Sequence, residues 1–163
     1  MRGPREELPN DPDRPASSRG STRPPPLTPA VLGLVGLGGM AGTAARYATS
    51  LVVPERHGWP LATLAVNLVG AFVLGLLLEA LARGGEDGPG AAVRRRARLV
   101  VGTGFCGAFT TYSALAVDLD LLLRGGQAGT AVAYATTTVL VGFVLCWSGI
   151  WLGARRPGPA AAG

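Results

Sequence analysis

Four long uncharged stretches constrain the fold of this chain more than any other feature of its sequence. Each contains 19 to 30 residues without Asp, Glu, Lys or Arg, and together they make up more than half of the 163 residues. A helix needs about 20 apolar residues to cross the hydrocarbon core of a bilayer. The stretches are residues 24–45, 57–78, 99–117 and 125–154. They predict an all-α membrane protein with four transmembrane helices embedded in a lipid bilayer.

The composition excludes several other classes of protein. Hydrophobic residues make up 48% of the chain and charged residues 15%, and the net charge of +5 lies mostly in the tails and connecting segments. A nucleic-acid partner is not expected, because neither a basic face on a folded domain nor a recognisable binding module is visible. Cys106 and Cys146 lie within apolar stretches without CxxC spacing, so they are expected to be packing residues.

The distribution of proline and charge predicts three regions. Residues 1–29 are rich in Pro, Arg, Asp, Glu and Ser and contain too little apolar surface to fold, so they predict a disordered N-terminal tail. Residues 30–154 form the four-helix domain, and residues 155–163 form a short C-terminal tail. Between the second and third helices, residues 83–98 are predicted to be a loop.

Arginines are unequally distributed between the two predicted sides of the membrane. With the N-terminus inside, twelve arginines in the tails and in the loop 83–98 lie on the cytoplasmic side, whereas Arg46, Arg56 and Arg124 lie towards the other side. An excess of basic residues marks the cytoplasmic side of a membrane protein. We therefore expect a multi-pass protein of the plasma membrane with both termini in the cytoplasm.

The third stretch contains a segment that does not favour an uninterrupted helix. Residues 102–115 read GTGFCGAFTTYSAL, and glycine costs about 1 kcal/mol in a helix interior, with Thr also weaker than Ala. Backbone groups freed at membrane depth need protein, ion or water partners, so a broken helix there usually lines a cavity or an ion site. A break in helix 3 is therefore predicted. The alternative is a tight helix crossing with small residues at the contact.

Two polar side chains inside the predicted helices have two interpretations each. Asn67 either joins two helices or presents its carboxamide N–H groups to an anion, since this group donates two hydrogen bonds without a fixed charge. Arg46 either extends to the lipid headgroups or anchors the protein by binding carbonyls freed by a broken neighbouring helix.

The polar residues within the predicted spans are almost all neutral. Asp, Glu, His and Lys are absent from their deep parts, which argues against a proton-coupled carrier. The chain also lacks an acid–base pair, a metal-ligand cluster or a Ser-His arrangement, so it is not expected to be an enzyme. Hydroxyl groups and one carboxamide form a donor-rich set that suits a small anion and replaces part of its hydration shell.

Three segments of the sequence resemble the Fluc/CrcB family of fluoride channels, also described as camphor-resistance CrcB-like proteins. They are GGMAGTAARY at 38–47, LATLAVNLVGAFVLG at 61–75, and the segment at 102–115. The resemblance implies an antiparallel, dual-topology dimer with two fluoride paths along its interface. It also implies a fluoride-specific channel that lets fluoride leave the cytoplasm passively, which lowers its toxicity.

The resemblance also implies roles for individual residues along the fluoride pathway. Asn67 would be the pore-lining amide of helix 2, and Tyr134 and Thr138 would match the polar residues of helix 4. The family's Phe-Ser-Thr-Phe run, whose ring edges face fluoride, is replaced here by YSAL at 112–115. Tyr112, Ser113 and Leu115 therefore stand at pathway positions, although Leu115 offers no ring edge.

A cofactor and an anchor follow from the same resemblance. Gly107 and Thr110 match the positions whose backbone carbonyls hold a structural sodium ion at the break of helix 3. Carbonyl oxygens of an unwound turn suit such a hard cation. Arg46 matches the arginine of the family's RY motif and would be the structural anchor on helix 1.

The sequence allows more than one partner for this chain, and it allows two functions that compete with a fluoride channel. An antiparallel homodimer needs both orientations from one sequence, whereas the arginine bias favours one orientation. We therefore expect pairing with an oppositely oriented paralogue that supplies the missing phenylalanine edges. The competing functions are a small four-helix multidrug-type exporter, which would want a carboxylate midway along helix 1, and a non-conducting membrane assembly subunit.

Overall fold

The described part of the chain is entirely helical. A computed structural model describes residues 28–54, 58–83 and 90–155, so the predicted tails lie outside the described residues except for Thr28, Pro29 and Arg155. Six α-helices are joined by short connections, and a π-helical segment lies between the third and fourth. These are α1 (Pro29–Val52), α2 (Leu61–Ala82), α3 (Ala91–Ala97), the π-helical segment (Arg98–Cys106), α4 (Gly107–Phe109), α5 (Tyr112–Arg124) and α6 (Ala128–Ala154).

The helix ends follow local sequence signals. Thr28 caps α1 by accepting a hydrogen bond from Val31 N at 3.3 Å, and Pro29 follows as the first helical residue. α1 ends at Val52, two residues before Pro54, which disfavours helical geometry in the residue preceding it. α5 and α6 form a hairpin whose turn contains Gly126 at φ 72°, a conformation that favours glycine.

Close packing of α2 against α6 forms one half of the bundle. The two helices run parallel, since Gly142 near the middle of α6 lies beside Leu68 and Gly153 at its end lies beside Glu79. Gly75 lies against the carbonyl of Cys146, and Gly149 lies against the carbonyl of Phe72. A methyl group at either glycine would overlap these carbonyl oxygens. Absence of a side chain therefore permits the backbones to approach each other.

The G-x-x-x-G pair of α1 packs against the π-helical segment in the other half. A methyl group at Gly38 would overlap the carbonyl oxygen of Val100, and one at Gly42 would overlap that of Phe105. Gly104 on the opposite helix lies equally close to α1. The small residues of the third stretch therefore form a tight helix crossing, which was the alternative interpretation of this segment. The crossing lies directly before a change in backbone conformation at Thr110 and Thr111.

Much of the outer surface is apolar. Large side chains such as Leu51, Val132 and Phe143 are exposed, whereas few apolar side chains of the described residues, including Val66 and Phe109, are buried. This distribution is the reverse of that in a water-soluble domain of similar size. The exposed surface therefore suits lipid or another protein subunit.

Three stretches among the described residues are long and apolar enough to cross a membrane. They are α2, residues Ala91–Arg124 taken together, and α6. α1 is also long, at 24 residues, but its five glycines and Arg46 make it less apolar than these three. The structure confirms an all-helical, multi-pass membrane protein with three candidate spans.

The predicted loop over residues 83–98 is wrong for its second half. Residues Ala91–Ala97 form α3, which continues without interruption into the π-helical segment. Alanine and arginine are strong helix formers, so the helix extends beyond the apolar run to include Arg94, Arg95 and Arg96. Charge alone did not end the helix.

Candidate functional site

The third stretch changes backbone conformation at two threonines. α4 ends at Phe109, after which Thr110 (φ −79°, ψ 157°) and Thr111 (φ −151°, ψ 120°) are extended. α5 begins at Tyr112. Two consecutive extended residues interrupt the α-helical hydrogen-bond ladder, so the backbone groups around them need other partners.

Asn67 supplies two of these partners from α2. Its Nδ2 group donates to the carbonyl oxygen of Thr111 at 3.0 Å, and its Oδ1 atom accepts a hydrogen bond from the Thr111 N–H at 2.8 Å. The carboxamide thus holds both backbone groups of one extended residue. Of its two N–H bonds, one is used in this clamp and the other is left for a further acceptor.

The hydrogen bonds made by Asn67 and by Thr111, the N-cap of α5, together leave two carbonyl groups without their helical donors. In an uninterrupted α-helix, the Thr111 N–H would donate to the Gly107 carbonyl and the Ala114 N–H would donate to the Thr110 carbonyl. Instead, the Thr111 N–H donates to Asn67, and the Ala114 N–H donates to Thr111 Oγ1 at 3.1 Å. The carbonyls of Gly107 and Thr110 therefore lose their helical donors at the same turn.

Neighbouring hydroxyl groups are oriented by short local bonds. Thr110 donates through both its N–H and its Oγ1 atom to the Cys106 carbonyl, at 3.0 and 2.8 Å. Thr111 Oγ1 lies 3.2 Å from the hydroxyl of Ser113. Ser113 and Tyr112 are exposed, and Tyr112 shows 83% of its surface. These two predicted pathway residues therefore face outward from the single chain.

A cavity of about 340 Å³ lies between α1, α2 and the start of α5. Hydroxyl groups of three elements and one guanidinium group contribute to its wall. Its lining residues are Thr43, Arg46, Tyr47, Ser50, Ala62, Thr63, Val66, Thr111 and Ala114. Thr111, whose backbone is held by Asn67, thus lies at the wall of a largely apolar cavity that carries several hydroxyl groups.

Arg46 lines this cavity without a protein partner among the described residues: no hydrogen bond or ion pair joins it to another of them. The predicted anchoring bond from Arg46 to a freed carbonyl therefore stays a prediction. A half-buried guanidinium group beside hydroxyl donors makes the cavity favourable for an anion.

A second polar group lies inside the hairpin of α5 and α6. Tyr134 is completely buried, and its hydroxyl group donates to Asp118 Oδ2 at 3.2 Å. The ring of Trp59 packs edge-on against it, with centroids 6.2 Å apart, and Leu115 packs against the same cluster. Thr138 donates to the Tyr134 carbonyl at 2.8 Å. The structure therefore brings Leu115, Tyr134 and Thr138 together, separate from the exposed Tyr112.

Two residues of the site were missed by the sequence predictions. Asn67 binds the backbone of Thr111, and Thr111 is also the N-cap of α5. A threonine directly before a new helix is a recognisable capping signal. Asp118 was not among the residues that the sequence assigned to the site. Asp118 and Tyr134 are equally distant in sequence from Gly126, so an antiparallel hairpin turning there places them opposite each other.

Comparisons with known proteins show the family to which the chain belongs. The sequence model of the family described as CrcB-like protein, Camphor Resistance (CrcB), matches residues 33–150. "Fluoride-specific ion channel FluC 1" of Cutibacterium acnes is 48% identical over 120 residues, covering 73% of this chain and 82% of the relative. "Fluoride-specific ion channel FluC 2" of Leifsonia xyli is 44% identical, covering 84% and 92%. "Fluoride-specific ion channel FluC" of Deinococcus radiodurans is 40% identical, covering 73% and 91%. On this match, the chain belongs to the CrcB family of membrane proteins.

Proposed function

We propose that this chain forms a fluoride-specific ion channel that lets fluoride leave the cytoplasm passively. The observation that carries the proposal is the interrupted third stretch, where neutral donors converge beside an arginine-lined cavity. Support also comes from relatives whose names describe fluoride-specific ion channels. An ion channel belongs to a class of proteins that are not enzymes, so no catalytic residues are assigned.

The residues of this site suit a small anion that must lose part of its hydration shell. The positive charge of Arg46 raises the local concentration of anions in the cavity, and Arg46 forms no ion pair with a carboxylate of the described residues. The remaining N–H of Asn67 and the hydroxyls of Tyr112 and Ser113 offer neutral donors, which bind fluoride without trapping it through a fixed charge. Tyr134 and Thr138 are proposed as pathway residues as well; in the single chain their hydroxyl protons are donated to Asp118 and to the Tyr134 carbonyl, with Leu115 as an apolar neighbour.

A structural sodium ion fits the freed carbonyls. Gly107 and Thr110 are the two residues whose carbonyls lose their helical donors, and Gly107 is exposed. Carbonyl oxygens are the ligands that a hard cation prefers. When bound, the ion would supply a fixed positive charge that stabilises the extended turn. Asn67 contributes indirectly, because it keeps the Thr111 N–H away from the Gly107 carbonyl.

Removing sodium is therefore expected to lower the thermal stability of the purified protein. At sodium concentrations about 100-fold above its dissociation constant, binding stabilises the folded state by about 2.7 kcal/mol. For a chain of this size the midpoint of unfolding should fall by roughly 5–10 °C. The measurement is thermal unfolding in detergent with sodium chloride, and with N-methylglucamine chloride at equal ionic strength. Identical midpoints in the two salts would contradict a sodium site.

The channel is proposed to be an antiparallel dimer in the plasma membrane. Tyr112 and Ser113 face outward from one chain, so a second subunit is needed to enclose them. α1 would be the fourth span, shielded by the same dimer, and the arginine distribution favours cytoplasmic termini. Because that distribution favours one orientation, the partner is proposed to be an oppositely oriented paralogue that supplies phenylalanine edges.

Fluoride efflux from liposomes tests the function and the partner together. We expect efflux, measured with a fluoride electrode after addition of a potassium ionophore, when this chain is reconstituted with its paralogue. Empty liposomes and chloride-loaded liposomes are the controls. Full efflux from this chain alone would establish a homodimer and exclude the need for a paralogue. Folded protein without efflux in both preparations would contradict the channel.

A further inference from the structure

Three exposed arginines form a basic patch at the start of the third stretch. We call Arg95, Arg96 and Arg98 the arginine cluster; all three are exposed. Among the described residues, the ion pairs are Arg83 with Glu79 and Arg124 with Asp120, each at 2.8 Å. The described carboxylate at this end, Glu79, is thus already paired. Arg95 and Arg98 are three residues apart on a helix, so their like charges repel unless an anion lies between them.

Helix contacts place this cluster at one end of the bundle. Gly102 lies beside Leu77 of α2, so Arg98, one turn earlier, is level with the last turn of α2. The end of α6 reaches the same level, because Gly153 lies beside Glu79. The arginine cluster, the end of α2 and the end of α6 therefore share one rim of the membrane-spanning region.

Aromatic and apolar side chains mark this rim as the membrane interface. Trp151 is 52% exposed, and the guanidinium group of Arg155 lies over its ring at 3.3 Å. Tryptophan is enriched at the level of lipid headgroups. Val93 precedes Arg96 by one turn and is 68% exposed. The arginine cluster shares this rim and therefore lies at headgroup depth.

We propose that the arginine cluster binds the phosphate groups of anionic phospholipids. A guanidinium group offers paired N–H donors that match phosphate oxygens, and basic clusters beside a membrane helix attract anionic lipids. Because Trp151 marks this rim as the level of the headgroups, the phosphate groups of lipids lie beside the cluster at high local concentration, which soluble phosphate does not reach. Glu86 and Asp87 lie outside the described residues, but residues 94–98 contain four arginines against these two carboxylates, and Arg83 is already paired with Glu79. The patch stays positive with both ionised.

Quenching of tryptophan fluorescence by brominated lipid tests this site. The full chain is reconstituted with Trp151 as its single tryptophan (W59F and W147F) in phosphatidylcholine containing a minor fraction of brominated phosphatidylglycerol. We expect quenching well above that fraction, since phosphatidylglycerol is enriched at the cluster. Brominated phosphatidylcholine at the same fraction should quench only in proportion to its amount. The substitutions R95Q, R96Q and R98Q should each lower the lipid affinity by about fivefold, and R124Q at the opposite end should not.

Thermal unfolding of the otherwise unchanged chain provides a second measurement that does not depend on the tryptophan variants. Short-chain phosphatidylglycerol added to a neutral detergent should raise the unfolding midpoint of the native chain but not that of the triple variant. Equal quenching by the two lipids, or enrichment that persists in the triple variant, would overturn the proposal. Displacement of the lipid by millimolar inorganic phosphate would make this a site for soluble anions and would overturn it as well. None of these readouts depends on fluoride transport.

Discussion

Substituting Asn67 by leucine is expected to reduce fluoride efflux by about two orders of magnitude or more. Leucine has nearly the same size, so the packing of α2 is retained while both bonds to the Thr111 backbone are lost. Each unsatisfied backbone group costs about 1–3 kcal/mol, and about 1.4 kcal/mol corresponds to a factor of ten. The Thr111 N–H then becomes free to return to the Gly107 carbonyl. Efflux from liposomes and thermal unfolding in sodium should both report the change.

A matched control for N67L is S148A on α6. Ser148 is also half-buried, but its hydroxyl group bonds only the Leu145 carbonyl of its own helix at 2.8 Å. Its removal should leave efflux within about twofold, since that carbonyl belongs to a continuous helix. N67D separates the two bonds, because aspartate accepts from the Thr111 N–H but cannot donate to its carbonyl. Full efflux from N67L would show that the carboxamide is dispensable.

Placing a methyl group on Gly42 is expected to destabilise the fold by about 3 kcal/mol or more. The new carbon would overlap the Phe105 carbonyl oxygen, which is backbone and cannot move without displacing the π-helical segment. For a chain of this length the unfolding midpoint should fall by roughly 6–12 °C. Thermal unfolding of G42A in detergent measures this change, and gel filtration shows whether the folded assembly persists.

G36A is the control within the same helix. Gly36 has open space around it in the single chain, with no atom within 4 Å of an added methyl group. Alanine in a helix interior is about 1 kcal/mol more favourable than glycine, so the midpoint should stay constant or rise. Equal losses in G36A and G42A would mean that helix propensity, not the crossing with the π-helical segment, determines the effect.

Several elements of the fold were predictable because they depend on local chemistry. The apolar runs predicted the positions of α2 and α6, since apolar length alone decides whether a segment crosses a membrane. Thr28 and Pro29 are the local signals at which α1 begins, one residue before the predicted start of the four-helix domain. The spacing of Gly38 and Gly42 is typical of a close helix contact, because glycines at that interval leave one face of the helix without side chains. Family resemblance then connected three separate segments to one function.

Other features depend on contacts between distant residues. The sequence left Asn67 with two roles, and only the position of α2 beside Thr111 showed that the carboxamide holds the backbone of an extended turn. Burial of Tyr134 and its bond to Asp118 depend on how α5 and α6 turn around Gly126.

The sequence by itself therefore determined that this is an all-helical membrane protein with neutral donors inside it and arginines at its ends. These properties depend on the order of apolar and charged residues along the chain. That order decides which segments enter a bilayer, whatever the tertiary packing. Only the tertiary structure decided which carbonyls lose their helical donors, and which arginines remain exposed at one rim. The physical reason is that hydrogen bonds and charge pairing depend on distances of a few ångströms between residues far apart in sequence.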